Sequence, residues 1–137
     1  GPERIMVSTQ GNLSLLEFAV EEAASRGAEL MVLFVRLAAV LPMGRALRPA
    51  LEQDPQAQQM FATVQQMAEQ ARVKCIPLYA VTNDVPDAIL DLAVTHGVDT
   101  LVLGSTRRGA LWRAMKGDVI QKVAEFLPES IRLLIHA

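Results

Sequence analysis

Cysteine and histidine are scarce in this chain, and their scarcity limits the chemistry it can perform. The single Cys75 cannot form an internal disulfide or a structural zinc site, which makes a reducing compartment the simplest expectation. Cys75 also falls inside an apolar run, where we expect a buried and inert thiol. Of the two histidines, His96 falls at a predicted helix end and His136 has no nucleophile near it in the sequence. We therefore expect no catalytic residue, no metal site and no enzymatic activity.

Long apolar runs and a strong net charge are also missing. No apolar run approaches the roughly 20 residues needed to span a bilayer, so we expect no insertion into a membrane. The formal net charge of -2 gives no general attraction to nucleic acid or anionic lipid. With 137 residues, 51% of them hydrophobic and 20% charged, the sequence predicts one folded domain over 1–137, which we expect in the cytoplasm.

The two ends of the chain lie close to the predicted fold. The sequence opens with Gly1 and Pro2 instead of an initiator Met, and it stops at Ala137 directly after its last strand-like run. Either the first residues were left by cloning or the domain was cut from a longer chain, and we favour the second interpretation.

Short apolar runs alternate with amphipathic segments along the chain, which is the pattern of an α/β fold. The predicted strands cover 4–9, 28–35, 73–81, 98–103 and 131–135. The predicted helices begin at Asn12 or Ser14, at Asp54-Pro55, at Pro86 and after Gly117-Asp118. Right-handed crossovers then give a parallel sheet with helices on both faces. The segment 36–55 is predicted as a long connection with a short helical turn.

One stretch, from Leu101 to Val119, combines a buried strand, a polar basic loop bounded by glycines, and a helix start. The apolar run ends at Gly104, and Gly117-Asp118 introduces the next helical pattern. The carboxyl end of a strand and the free N–H groups of a helix N-terminus favour an anion, and glycines let the backbone approach a ligand closely. The spacing of the two glycines matches neither the dinucleotide fingerprint nor the Walker loop.

This loop resembles the nucleotide loop of the universal stress protein family, in which Gly is followed by two residues, Gly, nine residues, Gly and then Ser or Thr. The likeness extends over nearly the whole chain, from RIMVSTQGN through DAILDLAVTHGVDTLVLGS to IRLLIHA. It implies an open, doubly wound parallel five-stranded sheet of order 3-2-1-4-5, with helices on both faces. That order puts the strand of Pro77 at an edge, where a residue without an N–H donor belongs.

Three positions depart from what the family pattern requires for nucleotide binding. Arg107 stands in place of the middle glycine, and Asp118 in place of the Ser or Thr that contacts phosphate. Gln10 stands where nucleotide-binding members carry an Asp that helps to hold adenosine. The resemblance therefore implies a degenerate loop and no certain cofactor, with ATP or another adenine nucleotide bound weakly or not at all.

Asp118 and the other polar residues of the loop also have simple structural interpretations. Asp118 can cap the following helix, which contributes about 1 kcal/mol. The basic side chains can form a solvated loop, an anion site of altered shape, or a docking surface for another domain. They are Arg107, Arg108, Arg113 and Lys116. Trp112 can anchor packing or stack on a base.

In doubly wound sheets the ligand lies beyond the carboxyl ends of the strands, at the point where the strand order reverses. Here that point falls between the first and fourth strands. The strand ends around it and the two sides of the loop supply the candidates for nucleotide or anion binding. These are Ser8, Thr9, Gln10, Val35, Gly104, Ser105, Arg107, Arg108, Gly117, Asp118 and Val119.

The phrases ELMVLFVR, LEQDPQAQ and RRGALWRAMKGDVIQKVAEFLPESIRLLIHA are most similar to the family's cytosolic domains that are fused to amino acid permease-type transporters. This resemblance implies a regulatory or sensory domain whose partner is the transmembrane part of the same chain. The alternative is a free-standing universal stress protein that binds ATP or another nucleotide. Many family members pair through their last strand, so we also expect a homodimer through 131–135, whose apolar edge invites pairing.

The loop residues predict that ATP binds weakly, with a dissociation constant well above 1 μM. A carboxylate at Asp118 would face the phosphates, and two like charges 4 Å apart repel by about 1 kcal/mol in water and about 4 kcal/mol near a protein surface. The double change of Asp118→Ser and Arg107→Gly should tighten any binding, which calorimetry with ATP and magnesium would measure. A dissociation constant near 1 μM for the unchanged chain, about -8 kcal/mol, would contradict this expectation.

Overall fold

The sheet that organises this chain has five parallel strands in the order β3-β2-β1-β4-β5. A computed structural model describes residues 1–40, 46–47, 49–105 and 119–137. The strands are β1 (Arg4–Ser8), β2 (Glu29–Leu37), β3 (Cys75–Thr82), β4 (Thr100–Gly104) and β5 (Arg132–His136). Both the strand order 3-2-1-4-5 and the parallel pairing confirm the prediction from the sequence.

Helices connect the strands, and the first three begin within one residue of the starts predicted from the sequence. The predicted start of the fourth, after Gly117-Asp118, lies outside the described residues. They are α1 (Leu13–Arg26), α2 (Pro55–Gln70), α3 (Val85–Thr95) and α4, which is helical over the described residues 119–126. The Asn12 side chain accepts a hydrogen bond from the N–H of Leu15, so Asn12 rather than Ser14 caps α1. Gly27 ends α1 with a positive φ of 62°, a backbone conformation that favours glycine. No described helix is long and apolar enough to cross a membrane.

The two faces of the sheet carry separate hydrophobic clusters because successive side chains of a strand point to opposite faces. Helices α1 and α2 cover the face that includes Val7, Val32 and Phe34. Helices α3 and α4 cover the opposite face, which includes Met6 and Leu33. Strand β2 is therefore apolar at nearly every position, as expected of a parallel strand buried on both sides.

The connection after β2 contains more regular structure than the sequence indicated. Strand β2 continues to Leu37, because its ladder with β3 extends to the pair of Leu37 and Thr82. A short antiparallel pair then forms between Ala39–Val40 and Ala46–Leu47. The predicted short helical turn is present as a 3₁₀ turn at Leu51–Gln53. Strand β3, with Pro77, lies at the edge of the sheet as predicted.

Asp54 ties this connection to the sheet through a set of charge-assisted hydrogen bonds. Its carboxylate is 4% exposed and accepts from Arg36 Nε at 2.9 Å and from a second nitrogen of the same guanidinium at 2.8 Å. The Tyr79 hydroxyl donates to it at 2.7 Å, and the N–H of Ala57 donates at 3.2 Å. The guanidinium of Arg36 also lies 4.9 Å from the centre of the Phe34 ring. The ends of β2 and β3 and the start of α2 therefore share one anchor.

The same contacts set the ionisation of the three side chains. Hydrogen bonds from Arg36 hold the pKa of Asp54 well below its usual range, and they outweigh the opposing effect of burial. The bond to Asp54 raises the pKa of Arg36. Burial, together with the bond to Asp54, raises the pKa of the Tyr79 hydroxyl. At neutral pH the anchor is thus an ion pair with a neutral tyrosine.

Asp54→Asn should lower the free energy of unfolding at pH 7 by about 2 kcal/mol. Because the Arg36 side chain is 30% exposed, the ion pair is neither fully exposed nor fully buried. The expected loss therefore lies between the small contribution of an exposed ion pair and the roughly 3–5 kcal/mol that breaking a fully buried pair costs. Urea unfolding at fixed pH would measure the difference. Asp84→Asn is the matched control, because Asp84 caps α3 in the same way but is exposed, and Asn caps as well as Asp.

The contribution of Asp54 should also depend on pH in a defined direction. A carboxylate whose pKa is lowered in the folded state stabilises the fold above its unfolded pKa and loses that effect as the pH falls. The difference in the free energy of unfolding between the native chain and Asp54→Asn should therefore be constant above about pH 5. It should shrink as the pH falls below 3.8, the ordinary pKa of an Asp carboxyl. A difference that grows on acidification would contradict this account of the anchor.

Candidate functional site

A cleft opens at the carboxyl ends of β1 and β4, where the strand order reverses. The chain leaves β1 towards the face covered by α1, whereas α4 packs on the opposite face. The cleft has a volume of about 140 Å³, about ten times the space that one water molecule needs. Its lining consists of Ser8, Thr9, Gln10, Val35, Leu37, Val85, Ile89, Leu103, Gly104, Val119 and Ile120.

The walls of the cleft are apolar. Ile89 of α3 and Leu103 of β4 are buried in the cluster on that face of the sheet, and Val85, Val119 and Ile120 pack against it. None of the described lining residues is charged. Such a surface favours a flat apolar group of a ligand, with orientation set by a few polar atoms.

The polar atoms come from the end of β1. Ser8 and Thr9 are buried polar residues, 7% and 6% exposed. The Thr9 hydroxyl accepts from the N–H of Asn12 at 3.2 Å, which fixes the turn into α1. None of the described residues forms a hydrogen bond with the side chain of Ser8, which lines the cleft. The Gln10 amide nitrogen donates to the carbonyl of Val35 at 2.9 Å.

The end of β4 is held by α1 and β5. A Cβ atom at Gly104 would come within 3.1 Å of Leu15 Cδ2, so this glycine allows α1 to pack closely on the strand. Gly104 lines the cleft with its backbone, but the reason for a glycine at this position is the close packing of α1 and not the cleft. The N–H of Ser105 donates to the carbonyl of His136 at 2.9 Å, which attaches the start of the loop to the end of β5.

Many of the residues predicted from the sequence therefore meet in one place. Those that line the cleft are Ser8, Thr9, Gln10, Val35, Gly104 and Val119. Ser105 adjoins it. Arg107, Arg108, Gly117 and Asp118 lie outside the described residues.

Several lining residues were not predicted as part of the site. These are Leu37, Val85, Ile89, Leu103 and Ile120. The sequence could have indicated two of them, because side chains two residues apart on a strand share a face. Leu37 therefore shares a face with Val35, and Leu103 shares one with Leu101. The helix residues carried no such signal, since apolar spacing alone does not distinguish a cleft wall from the core.

The site shows no sign of metal or thiol chemistry in the described part of the chain. There, no group of three His, Cys, Asp or Glu side chains lies together as a set of metal ligands. Burial raises the pKa of the Cys75 thiol to about 11, so it is protonated at neutral pH and a poor nucleophile. Cys75 begins β3 at the opposite end of the strand from the cleft.

Solved structures with the same fold include several nucleotide complexes. A universal stress protein in complex with cAMP is 21% identical, with a TM-score of 0.68 over 99% of this chain and 97% of its own. An Archaeoglobus fulgidus universal stress protein in complex with dAMP is 19% identical, with a TM-score of 0.67 over 97% of this chain and 96% of its own. An Arabidopsis thaliana family protein with AMP bound is 15% identical, with a TM-score of 0.60 over 99% of this chain and 93% of its own.

Sequence comparison adds the family assignment that these distant structures alone do not give. A search of curated protein sequences returns no significant match. The sequence profile of the universal stress protein family, however, matches residues 3–128, which include all of β1 to β4 and the cleft. The strand order and the position of the cleft agree with this match. The chain therefore belongs to the universal stress protein family.

Proposed function

We propose that this chain is a regulatory domain that binds an adenine nucleotide, with the base or nucleoside in the cleft between β1 and β4. The observation that carries this proposal is the cleft itself, which joins apolar walls to the hydroxyl of Ser8 at the point where the strand order reverses. Complexes of three similar structures with cAMP, dAMP and AMP support the choice of ligand class. The proposed role is binding and signalling rather than catalysis.

The phosphate of such a ligand would be recognised by a different part of the chain. The described lining is uncharged, and we propose that the loop after Ser105 supplies the charge. That loop brings Arg107 and Arg108 but also Asp118, which opposes a long polyphosphate. We therefore propose a nucleoside monophosphate as the ligand, in preference to ATP.

The proposal applies to both settings that the sequence suggests. In one, the chain is a cytosolic domain of an amino acid permease-type transporter, and ligand binding regulates transport. In the other, it is a free-standing cytoplasmic universal stress protein. The full open reading frame distinguishes them, because a transporter would show about a dozen apolar segments of roughly 20 residues.

Filling the cleft should weaken binding of the nucleotide. Val85 lines the cleft at the start of α3, and Val85→Phe replaces its small side chain with a bulky aromatic ring. The variant should weaken AMP binding at least tenfold, because the ring excludes the base. Calorimetry with AMP on the native chain and the variant would measure the effect. The unchanged chain should bind AMP more tightly than ATP in the same experiment.

Val94→Phe is the matched control for this experiment. It makes the same change on the same helix, but Val94 is 56% exposed and does not line the cleft. It should leave AMP binding within twofold of the native value. If the native chain gave no heat with AMP at millimolar concentration, the proposed function would be wrong. If Val85→Phe bound AMP normally, the ligand would lie outside the cleft.

We further propose that two copies of the domain pair through β5. This strand has β4 on one side, and no other described strand lies on its outer side. Ile135 of β5 is 44% exposed and Phe126, nearby in sequence, is 66% exposed, whereas Leu133 packs partly against the cluster on the face of α3 and α4. An unpaired apolar edge favours addition of another strand, and a two-fold axis makes one segment sufficient for both copies.

Leu133→Pro should convert the pair into a monomer without disrupting the sheet. The N–H of Arg132 points towards β4, where it donates to the carbonyl of Asp99, so the N–H of Leu133 points to the free edge. Proline removes that donor. Light scattering would give the mass, with Leu133→Ala as the control that keeps the N–H and should remain paired. A native chain that is monomeric at high micromolar concentration would contradict self-pairing.

A further inference from the structure

The carbonyl of Val35 occupies a special position at the edge of the cleft. Strand β1 pairs with β2 as far as Ser8 opposite Leu33, and the N–H of Thr9 donates to the carbonyl of Leu33. In a parallel ladder the carbonyl two residues further along points to the same side, so that of Val35 also faces the line of β1. No N–H of β1 can reach it, because the chain turns away at Gly11, which has a positive φ of 122°.

The side chain of Gln10 takes the place of this missing backbone donor. Its amide nitrogen lies 2.9 Å from the Val35 oxygen, and both residues line the cleft. The half-buried carboxamide therefore satisfies an acceptor that would otherwise face the cleft without a partner from β1. A ligand donor in the cleft therefore competes with the Gln10 amide for that acceptor.

The backbone of Gln10 is held independently of its side chain. Its carbonyl accepts from the Gln56 amide nitrogen at 3.1 Å, and the Gln56 amide oxygen accepts from Arg36 at 3.0 Å. Gln10 also borders a second groove, on the side of α1 and α2, together with Gly11, Gln56 and Gln59. The glutamine amides of this groove offer the carboxamide other hydrogen-bond partners, although Leu13, Leu16 and Met60 make much of the groove apolar.

We propose that Gln10 determines the ligand specificity of the cleft by competing with the ligand for the Val35 carbonyl. A ligand ring that carries a hydrogen-bond donor, such as the exocyclic amine of adenine, replaces the Gln10 amide without leaving the carbonyl unpaired. A ring without a donor has two options. It can leave the Gln10 amide in place, and then the ring cannot occupy the position beside the Val35 carbonyl, or it can displace the amide and leave the carbonyl unpaired. This inference rests on the proposed binding of an adenine nucleotide in the cleft.

Gln10→Ala removes the competitor and should tighten AMP binding about tenfold, which corresponds to about 1.4 kcal/mol. Purine riboside 5′-monophosphate has the same phosphate and sugar but lacks the exocyclic amine, so its binding should change less than twofold. Calorimetry with both nucleotides on the native chain and on Gln10→Ala gives the comparison. Gln59→Ala is the matched control, because Gln59 is an exposed glutamine of the second groove and does not line the cleft.

A readout without ligand tests the hydrogen bond directly. In ¹⁵N spectra the side-chain amide of Gln10 is identified by its loss in Gln10→Ala, and it should exchange with water more slowly than that of Gln59. Equal exchange rates would overturn the proposed role of Gln10, and so would an equal change in affinity for both nucleotides; either result would leave nucleotide binding in place. If neither protein bound AMP, the proposed function would fail and the role of Gln10 with it.

Discussion

The unequal length of two neighbouring strands is the constraint on which the candidate site depends. Strand β1 is central and pairs on both sides, but its ladder with β2 ends at Ser8 opposite Leu33, whereas β2 runs on to Leu37. Backbone acceptors of β2 beyond that point still need donors, because a buried carbonyl without a partner is costly. The turn after β1 supplies them, first from the N–H of Thr9 and then from the side chain of Gln10. The polar atoms of the cleft are thus a consequence of how β1 ends.

The two faces of β2 serve different purposes near this edge. Val35 points into the cleft, whereas Phe34 and Arg36 point to the face covered by α1 and α2. On that second face the ion pair of Arg36 and Asp54 attaches the long connection and the start of α2 to the sheet. Its buried charge is fully used by structural partners, so we assign it to stability and not to ligand binding. The opposite face of β2, which includes Val35, lines the cleft.

The proposed nucleotide would be divided between a neutral cleft and a charged loop. The cleft formed by described residues offers shape, apolar surface and a hydroxyl, but no charge. In the proposed function, recognition of phosphate rests on the loop that contains Arg107 and Asp118. Gln10, at the end of β1, is the residue that we propose to act on recognition of the base.

Local patterns in the sequence were sufficient for most of the elements. Apolar runs and capping residues such as Asn12 and Asp54 act over a few residues, so they predicted the strands and helices, and Pro77 indicated an edge strand. The strand order, and with it the reversal point that brings Ser8 near Gly104, was implied by the resemblance to the family. The tertiary structure alone decided which side chains meet across long separations. Arg36, Asp54 and Tyr79 converge, and Gln10 reaches Val35, only because the registers of β1, β2 and β3 align their ends. Register is a property of the whole sheet, and no short stretch of sequence encodes it.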